Sequence, residues 1–319
     1  MRANVAQGFT MTPCYDRQAT TAGAEPNCTG QTLTWNLDMA LNTESIATYH
    51  ERGWLLARNA VPADALALAR VALQRWTDQT IAKWVAQGLL PDALVAESFE
   101  RRLVVAWNRA GKPRYVRSPR RDIVCREIFE FLAHPVLVDI AQDLLGTPEV
   151  SVNGIFNARP KLPDQLWTDT PWHQDAQYYR DAANIHILSM WMPLVRVTEH
   201  NSCLQVAERM QNGVLFDNFE DETGFIGLTR EDRATLRGIS VEMDPGDVLC
   251  FPQKTPHRAL PNMSDAVRWS VDIRFEATEG ASEIGKRQGF VARSPSHPSS
   301  VPSYEQWLTQ WEHIPPGTY

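Results

Sequence analysis

The sequence predicts an α+β chain, a jelly roll of antiparallel strands preceded by helices. Two textures and the punctuation between strands carry that expectation. Up to Gly146 the apolar residues recur at helical spacing. Beyond it come short β-rich runs, at 150–156, 185–197, 239–243, 248–251 and 269–275. Turn chemistry such as Asp244-Pro245-Gly246-Asp247 and Pro261-Asn262 separates these runs.

The elements follow in order. Residues 1–38 are rich in Thr, Ala, Gly and Asn without an apolar period, so an irregular N-terminal arm is expected there. Asn42 or Thr43 can cap a short helix that turns Ile46 and Tyr49 inward and stops at Gly53. Trp54-Leu55-Leu56 reads as a short strand. Val61-Pro62 and Asp64 open a long helix with Leu66, Leu73, Trp76, Ile81 and Trp84 on its apolar stripe, ending at Gly88. A second helix over 135–145 lines up Leu137, Ile140 and Leu144 and ends at Gly146. A single jelly-roll domain is expected over 39–293, its N-terminal half helical. Residues 294–319 form a C-terminal extension, Pro- and Ser-rich around His297, Pro298 and Pro302, with a short helix carrying Trp307 and Trp311.

Composition excludes several classes. The 319 residues are 43% hydrophobic and 22% charged with net charge -7. That balance argues against a nucleic-acid partner, which asks for a basic footprint. No apolar run approaches the roughly 18–20 residues of a membrane-spanning helix, and Asn4, Gln7 and Thr10 interrupt any signal-peptide core. Cys14, Cys28, Cys125, Cys203 and Cys250 are odd in number and scattered, which favours reduced thiols and a cytoplasmic location. Asn27-Cys28-Thr29 has the form of a glycosylation acceptor that such a location leaves unused.

The chemistry starts at Trp172-His173-Gln174-Asp175. On an extended segment residues i and i+2 share a face, so His173 and Asp175 can converge on one metal ion. Alone, that pair carries nothing, because eight histidines among 38 acidic residues yield about one such triplet by chance. A second segment lifts it: the turn and buried strand from Gly246 to Phe251 lead to Thr255-Pro256-His257. Eleven residues later Arg268 and Ser270 share a strand face with Asp272, opposite Trp269, Val271 and Ile273. Two histidines and one carboxylate form the facial triad of non-haem Fe(II) oxygenases. A guanidinium with a hydroxyl beside it is a fitting receptor for a carboxylate. A dicarboxylic co-substrate held at both ends points to 2-oxoglutarate. Arg274 lies on the same face and rivals Arg268 for that role, while Asp265 and Asp272 are alternative partners for Arg268.

The sequence resembles the phytanoyl-CoA dioxygenase family of Fe(II)/2-oxoglutarate oxygenases over roughly 40–275. The matching pieces come in the family's order. They are Tyr49-His50-Glu51-Arg52-Gly53-Trp54, the helix from Ala133-His134-Pro135 to Gly146, and Pro171-Trp172-His173-Gln174-Asp175-Ala176 with Tyr178. Trp191 to Leu194, the turn at Glu199 to Asn201, Gly246-Asp247-Val248, His257 with Asn262, and Arg268-Trp269-Ser270 follow. The resemblance implies a double-stranded β-helix, cupin-like core, with His173, Asp175 and His257 on iron and Arg268 with Ser270 on the far carboxylate of 2-oxoglutarate. It also implies a further contact from the preceding strand, where Asn157, Arg159 and Lys161 are the candidates. Trp172, Gln174, Tyr178 and Trp191 flank the expected iron and are candidates for lining the substrate pocket. The sequence departs from the family at 207–210, Ala207-Glu208-Arg209-Met210 instead of Pro-Gly-Ser-His, and at Ala259, where a hydroxyl is common.

The implied reaction consumes O2 and 2-oxoglutarate, releases succinate and CO2, and oxidises a C–H bond of a small organic molecule. Because Asp175 is present, the outcomes expected are hydroxylation, desaturation or ring formation rather than halogenation. A jelly-roll binding module without iron chemistry is the alternative. A zinc hydrolase built on the same triad would leave Arg268 and Ser270 without a role. Residues 101–126, with nine basic side chains, read either as a solvated face or as a rim for an anionic substrate.

Overall fold

The computed structural model describes residues 40–113, 119–163, 170–179, 186–208, 213–220 and 226–317. The expected arm, the acceptor motif at Asn27, Cys14, Cys28 and the loop positions Arg209 and Met210 lie outside them.

Helix α1 (Thr43–Arg52) is capped by the Asn42 side chain, which accepts from the Ser45 amide at 2.8 Å. It ends at Gly53 with φ 76°, and the helix over Pro135–Leu145 ends in the same way at Gly146 with φ 68°; this left-handed corner suits a residue without Cβ. After strand β1 (Leu55–Ala57), α2 (Ala63–Ala86) buries Leu66, Leu73, Trp76, Ile81 and Trp84, the stripe its period predicts. Around the basic stretch stand α3 (Phe99–Arg109), a 3-10 turn over Arg121–Ile123 and α4 (Arg126–Leu132), followed by α5 (Pro135–Leu145).

The strands are β2 (Val150–Val152), β3 (Asn157–Lys161), β4 (Ile187–Pro193), β5 (Leu204–Ala207), β6 (Asn218–Glu220) and β7 (Ile226–Leu228). Helix α6 (Arg230–Thr235) leads to β8 (Gly238–Val241), β9 (Val248–Pro252), β10 (His257–Ala259) and β11 (Arg268–Ala277). Helix α7 (Glu283–Gln288), β12 (Phe290–Arg293) and α8 (Tyr304–Thr309) complete the order. The larger sheet runs β1-β9-β4-β11-β2-β12, with β3 pairing the first half of β11; the smaller runs β10-β5-β8, and every pairing is antiparallel. Residues of both sheets line one cavity between them, so the jelly roll encloses its site.

Strand β11 alternates as expected, yet Arg268 through Glu276 are all buried. Its apolar face meets the helices, with Trp269 stacked on Phe99 at 4.9 Å and edge-on to Trp76 at 6.2 Å. Its polar face looks into the cavity. The C-terminal stretch packs Trp307 and Trp311, both fully buried, against Phe156 and against each other at 5.7 Å.

The basic residues of 101–126 are dispersed. Arg101 pairs with Asp265, Arg102 with Asp78, and Arg126 with Glu305. Arg121 donates to the Ile314 carbonyl, and Arg120 to the Phe156 carbonyl and to Asn157. Most of this charge clamps neighbouring elements; Arg114 and Arg117 lie outside the described residues. No helix among the described residues is long and apolar enough to cross a membrane.

Candidate active site

Two backbone hydrogen bonds bring the distant histidines together. The His173 amide donates to the His257 carbonyl and the His257 amide to the His173 carbonyl, each at 3.0 Å, so the metal-loop segment becomes an extra partner of β10. Residues facing each other in this way place their side chains on one side of the sheet. The two imidazole rings accordingly lie 4.2 Å apart. Asp175 opens the 3-10 turn 175–178, which is anchored by the Ala176 amide on the Gln253 carbonyl at 2.8 Å. His173, Asp175 and His257 each bring a ligand atom into a group spanning no more than 4.8 Å, and all three are buried.

The protonation states suit a cation. Nδ1 of His173 lies 2.9 Å from the Pro171 carbonyl, and Nδ1 of His257 lies 3.0 Å from the Thr255 carbonyl. Only a protonated Nδ1 can bond a carbonyl, which leaves the Nε2 lone pair for a metal. Burial, reinforced by the neighbouring His257, lowers the His173 pKa to about 3; burial lowers that of His257 as well, so both rings stay neutral. Burial pushes the Asp175 carboxyl up, but the Arg274 guanidinium outweighs it and holds the group far below the usual carboxylate range. Two neutral imidazoles and one ionised carboxylate are the donor set of a ferrous site.

A short polar network orients the carboxylate. Arg274 donates through Nη2 to Oδ1 at 2.9 Å and through Nε to Oδ2 at 3.1 Å, while Ser189 donates to Oδ2 at 2.6 Å. Arg274 also bonds Asp272 at 2.9 Å. It is therefore engaged by the triad and is no rival of Arg268 for a co-substrate. Sequence reasoning missed this role and missed Ser189 altogether. A lone hydroxyl in the apolar strand Ile187–Pro193, sharing a face with Trp191, was the available signal.

Arg268 and Ser270 touch, the guanidinium Nη1 donating to the hydroxyl, and Arg268 lines the same cavity as the triad with Trp191 packed 5.5 Å away. The carboxylates that competed for Arg268 are taken, Asp265 by Arg101 and Asp272 by Arg159 with Arg274. Of the three candidates on β3, Arg159 and Lys161 line the cavity. Asn157 does not: its amide donates to Asp272 at 2.7 Å and its oxygen accepts from Arg120 at 2.9 Å.

The four pocket candidates separate. Trp191 lines the cavity, and Tyr178 stands edge-on to His173 with ring centres 6.0 Å apart. Gln174 is fully buried, its amide donating to the carbonyls of Val214 and Lys254 and its oxygen accepting from the Phe216 amide. It sits between ligands that point one way, so the extended backbone turns it the other. Trp172, turned away for the same reason, lines a separate surface cavity and carries Arg258 5.1 Å from its ring.

An antiparallel double-stranded β-helix closed around two histidines, an aspartate and a buried arginine defines a non-haem iron oxygenase. Residues 49–270, more than two thirds of the chain, match the family described as phytanoyl-CoA dioxygenase. The chain belongs to that family and is an oxidoreductase working with Fe(II) and 2-oxoglutarate on a small molecule. It is 25% identical over 248 residues to a probable phytanoyl-CoA dioxygenase of Caenorhabditis elegans, covering 74% of this chain and 75% of that one. It is likewise 25% identical over 261 residues to the 1-deoxypentalenic acid 11-beta-hydroxylase of Streptomyces arenae, covering 77% and 83%. Among solved structures, EctD from S. alaskensis, determined with 2-oxoglutarate and 5-hydroxyectoine, shares the fold with a TM-score of 0.53 at 18% identity, over 79% of this chain and 82% of that one.

Proposed function

We propose that this oxygenase oxidises an unactivated C–H bond of a small organic molecule, by hydroxylation, desaturation or ring formation, with His173, Asp175 and His257 holding the iron. One observation carries the reading: the three ligand atoms, within 4.8 Å of one another, share a cavity with the Arg268 guanidinium. Fe(II) held by His173, Asp175 and His257 would supply O2 activation, coupled to conversion of 2-oxoglutarate to succinate and CO2 and to oxidation of a substrate C–H bond.

The chain's own residues supply position. Arg268, steadied by Ser270, receives the carboxylate of 2-oxoglutarate that lies away from the metal, and the rigid strand β11 fixes its distance from the triad. Arg274 and Ser189 hold both oxygens of Asp175, so the carboxylate keeps one orientation. Trp191 walls the cavity and excludes water, and Tyr178 stands at the edge of the triad. A secondary metabolite fits the likeness to the Streptomyces hydroxylase. The free thiols of Cys125, Cys203 and Cys250 suit a reducing cytoplasm.

Anaerobic titration of the Fe(II)-loaded protein with 2-oxoglutarate tests the reading. The native chain should develop the visible charge-transfer absorption of the chelate, and His173→Ala should lose it. A native chain that never develops the band would instead be the binding module without iron chemistry.

A further inference from the structure

Arg159 and Arg274 differ in how far their donors are used. Arg274 places Nε and Nη2 on Asp175 and Nη1 on Asp272 and the Ile155 carbonyl. Arg159 commits only Nε, to Asp272 Oδ2 at 2.7 Å, and its two terminal nitrogens donate to no described group. Its side chain nevertheless lines the cavity and keeps 32% of its surface. The Asp272 bond fixes the guanidinium from behind, and Arg159 stands opposite Ser270 in the register of β3 on β11.

Charge decides what those open donors fit. At the metal end, Asp175 and Asp272 face the guanidinium groups of Arg159 and Arg274, an even match among the described residues. A ferrous ion adds two positive charges, and the chelating carboxylate of 2-oxoglutarate adds one negative. Positive charge is then in excess in a cavity that Lys161 and Arg268 also line, and an uncompensated buried charge is unfavourable. A neutral substrate leaves the excess in place; an anionic one reduces it.

We propose that Arg159 is the receptor for a carboxylate on the substrate, and that the enzyme oxidises small organic acids. The proposal rests on the iron and 2-oxoglutarate reading above. A planar guanidinium with one edge already fixed offers its remaining N–H groups to both oxygens of a carboxylate. Trp191 and Tyr178 then take the carbon skeleton beside the triad.

The test uses the whole chain loaded anaerobically with Fe(II) and 2-oxoglutarate, and a series of alkanoic and cycloalkanecarboxylic acids, each with its methyl ester. Perturbation of the chelate absorption reports binding without turnover. At least one acid should bind the native protein about tenfold more tightly than its ester. Arg159→Gln should abolish that preference while 2-oxoglutarate affinity stays within about twofold, and Arg159→Lys, which keeps the charge, should retain part of it. Far-UV circular dichroism of both variants checks that they fold. The proposal is overturned if acids and esters bind alike, if no acid of the series binds, or if Arg159→Gln weakens 2-oxoglutarate itself, which would make Arg159 a co-substrate ligand. Absence of the chelate band before any acid is added would instead remove the iron reading, and this one with it.

Discussion

Asp175 has only 2% of its surface exposed, and the two guanidinium bonds it accepts come from one side chain, Arg274, which also pairs with Asp272. Removing one partner from a buried ionic cluster leaves an uncompensated charge and costs about 3–5 kcal/mol, against roughly 0–1 kcal/mol for an exposed pair. Arg274→Gln should therefore lower the unfolding free energy by that order, read as a fall in the urea midpoint. It should also weaken Fe(II) or Mn(II) binding about 10- to 100-fold by freeing the carboxylate to rotate, as metal titration of the folded fraction would show. At this scale the cluster proposed to hold iron was legible in the sequence: His173-x-Asp175, His257 beyond a strand end, and Arg268 with Ser270 each have a spacing that chemistry explains. Arg274 was legible only as a face. Parity along β11 placed it with Arg268, and nothing local says that one guanidinium meets the triad while the other meets its far side. Gln174 failed the opposite way, because nearness in sequence to two ligands does not survive the alternation of an extended chain.

Among the elements, the long helices were readable because a 3.6-residue period and glycine stops are local signals. Helix α3 was not, since its apolar face of Leu103, Val104 and Trp107 is interleaved with the charges that drew notice instead. Strand β8 overlaps the run expected at 239–243, whereas β5 and β10, three or four residues long, owe their existence to pairing partners tens of residues away. Helix α8 shows how much a short element contributes through packing. Trp307 is fully buried among Phe129, Phe156, Phe290 and Trp311, and its indole N–H donates to the Gln288 carbonyl at 2.9 Å. Trp307→Ala should cost about 3–5 kcal/mol, cavity included, and lower the thermal midpoint by several degrees. An unchanged midpoint would mean that the C-terminal stretch is dispensable to the core.

For the molecule as a whole, the buried histidines couple stability to pH. Burial depresses the pKa of His173 to about 3 and lowers that of His257, while in the unfolded chain each titrates near 6.5. Between those values the unfolded chain binds protons that the folded chain refuses, so stability rises with pH there and is lost as pH falls below about 6.5. The metal-free protein should lose on the order of 1 kcal/mol per pH unit for each histidine below that point, and His173→Asn should flatten the slope; denaturant midpoints from pH 7.5 to 4.5 would show it. Asp175 contributes in the same direction only at lower pH, because its folded value also lies below the unfolded one. The reciprocal peptide bonds between residues 173 and 257 carry a separate implication. They bring the two ring nitrogens together through backbone pairing of the chain itself. Along the first-row series, nitrogen and oxygen donors follow a general order that ranks copper and zinc above iron. Correct metallation is then a matter of supply: the enzyme depends on its cell to keep tighter-binding ions scarce, and a copy that captured zinc would be folded, durable and idle.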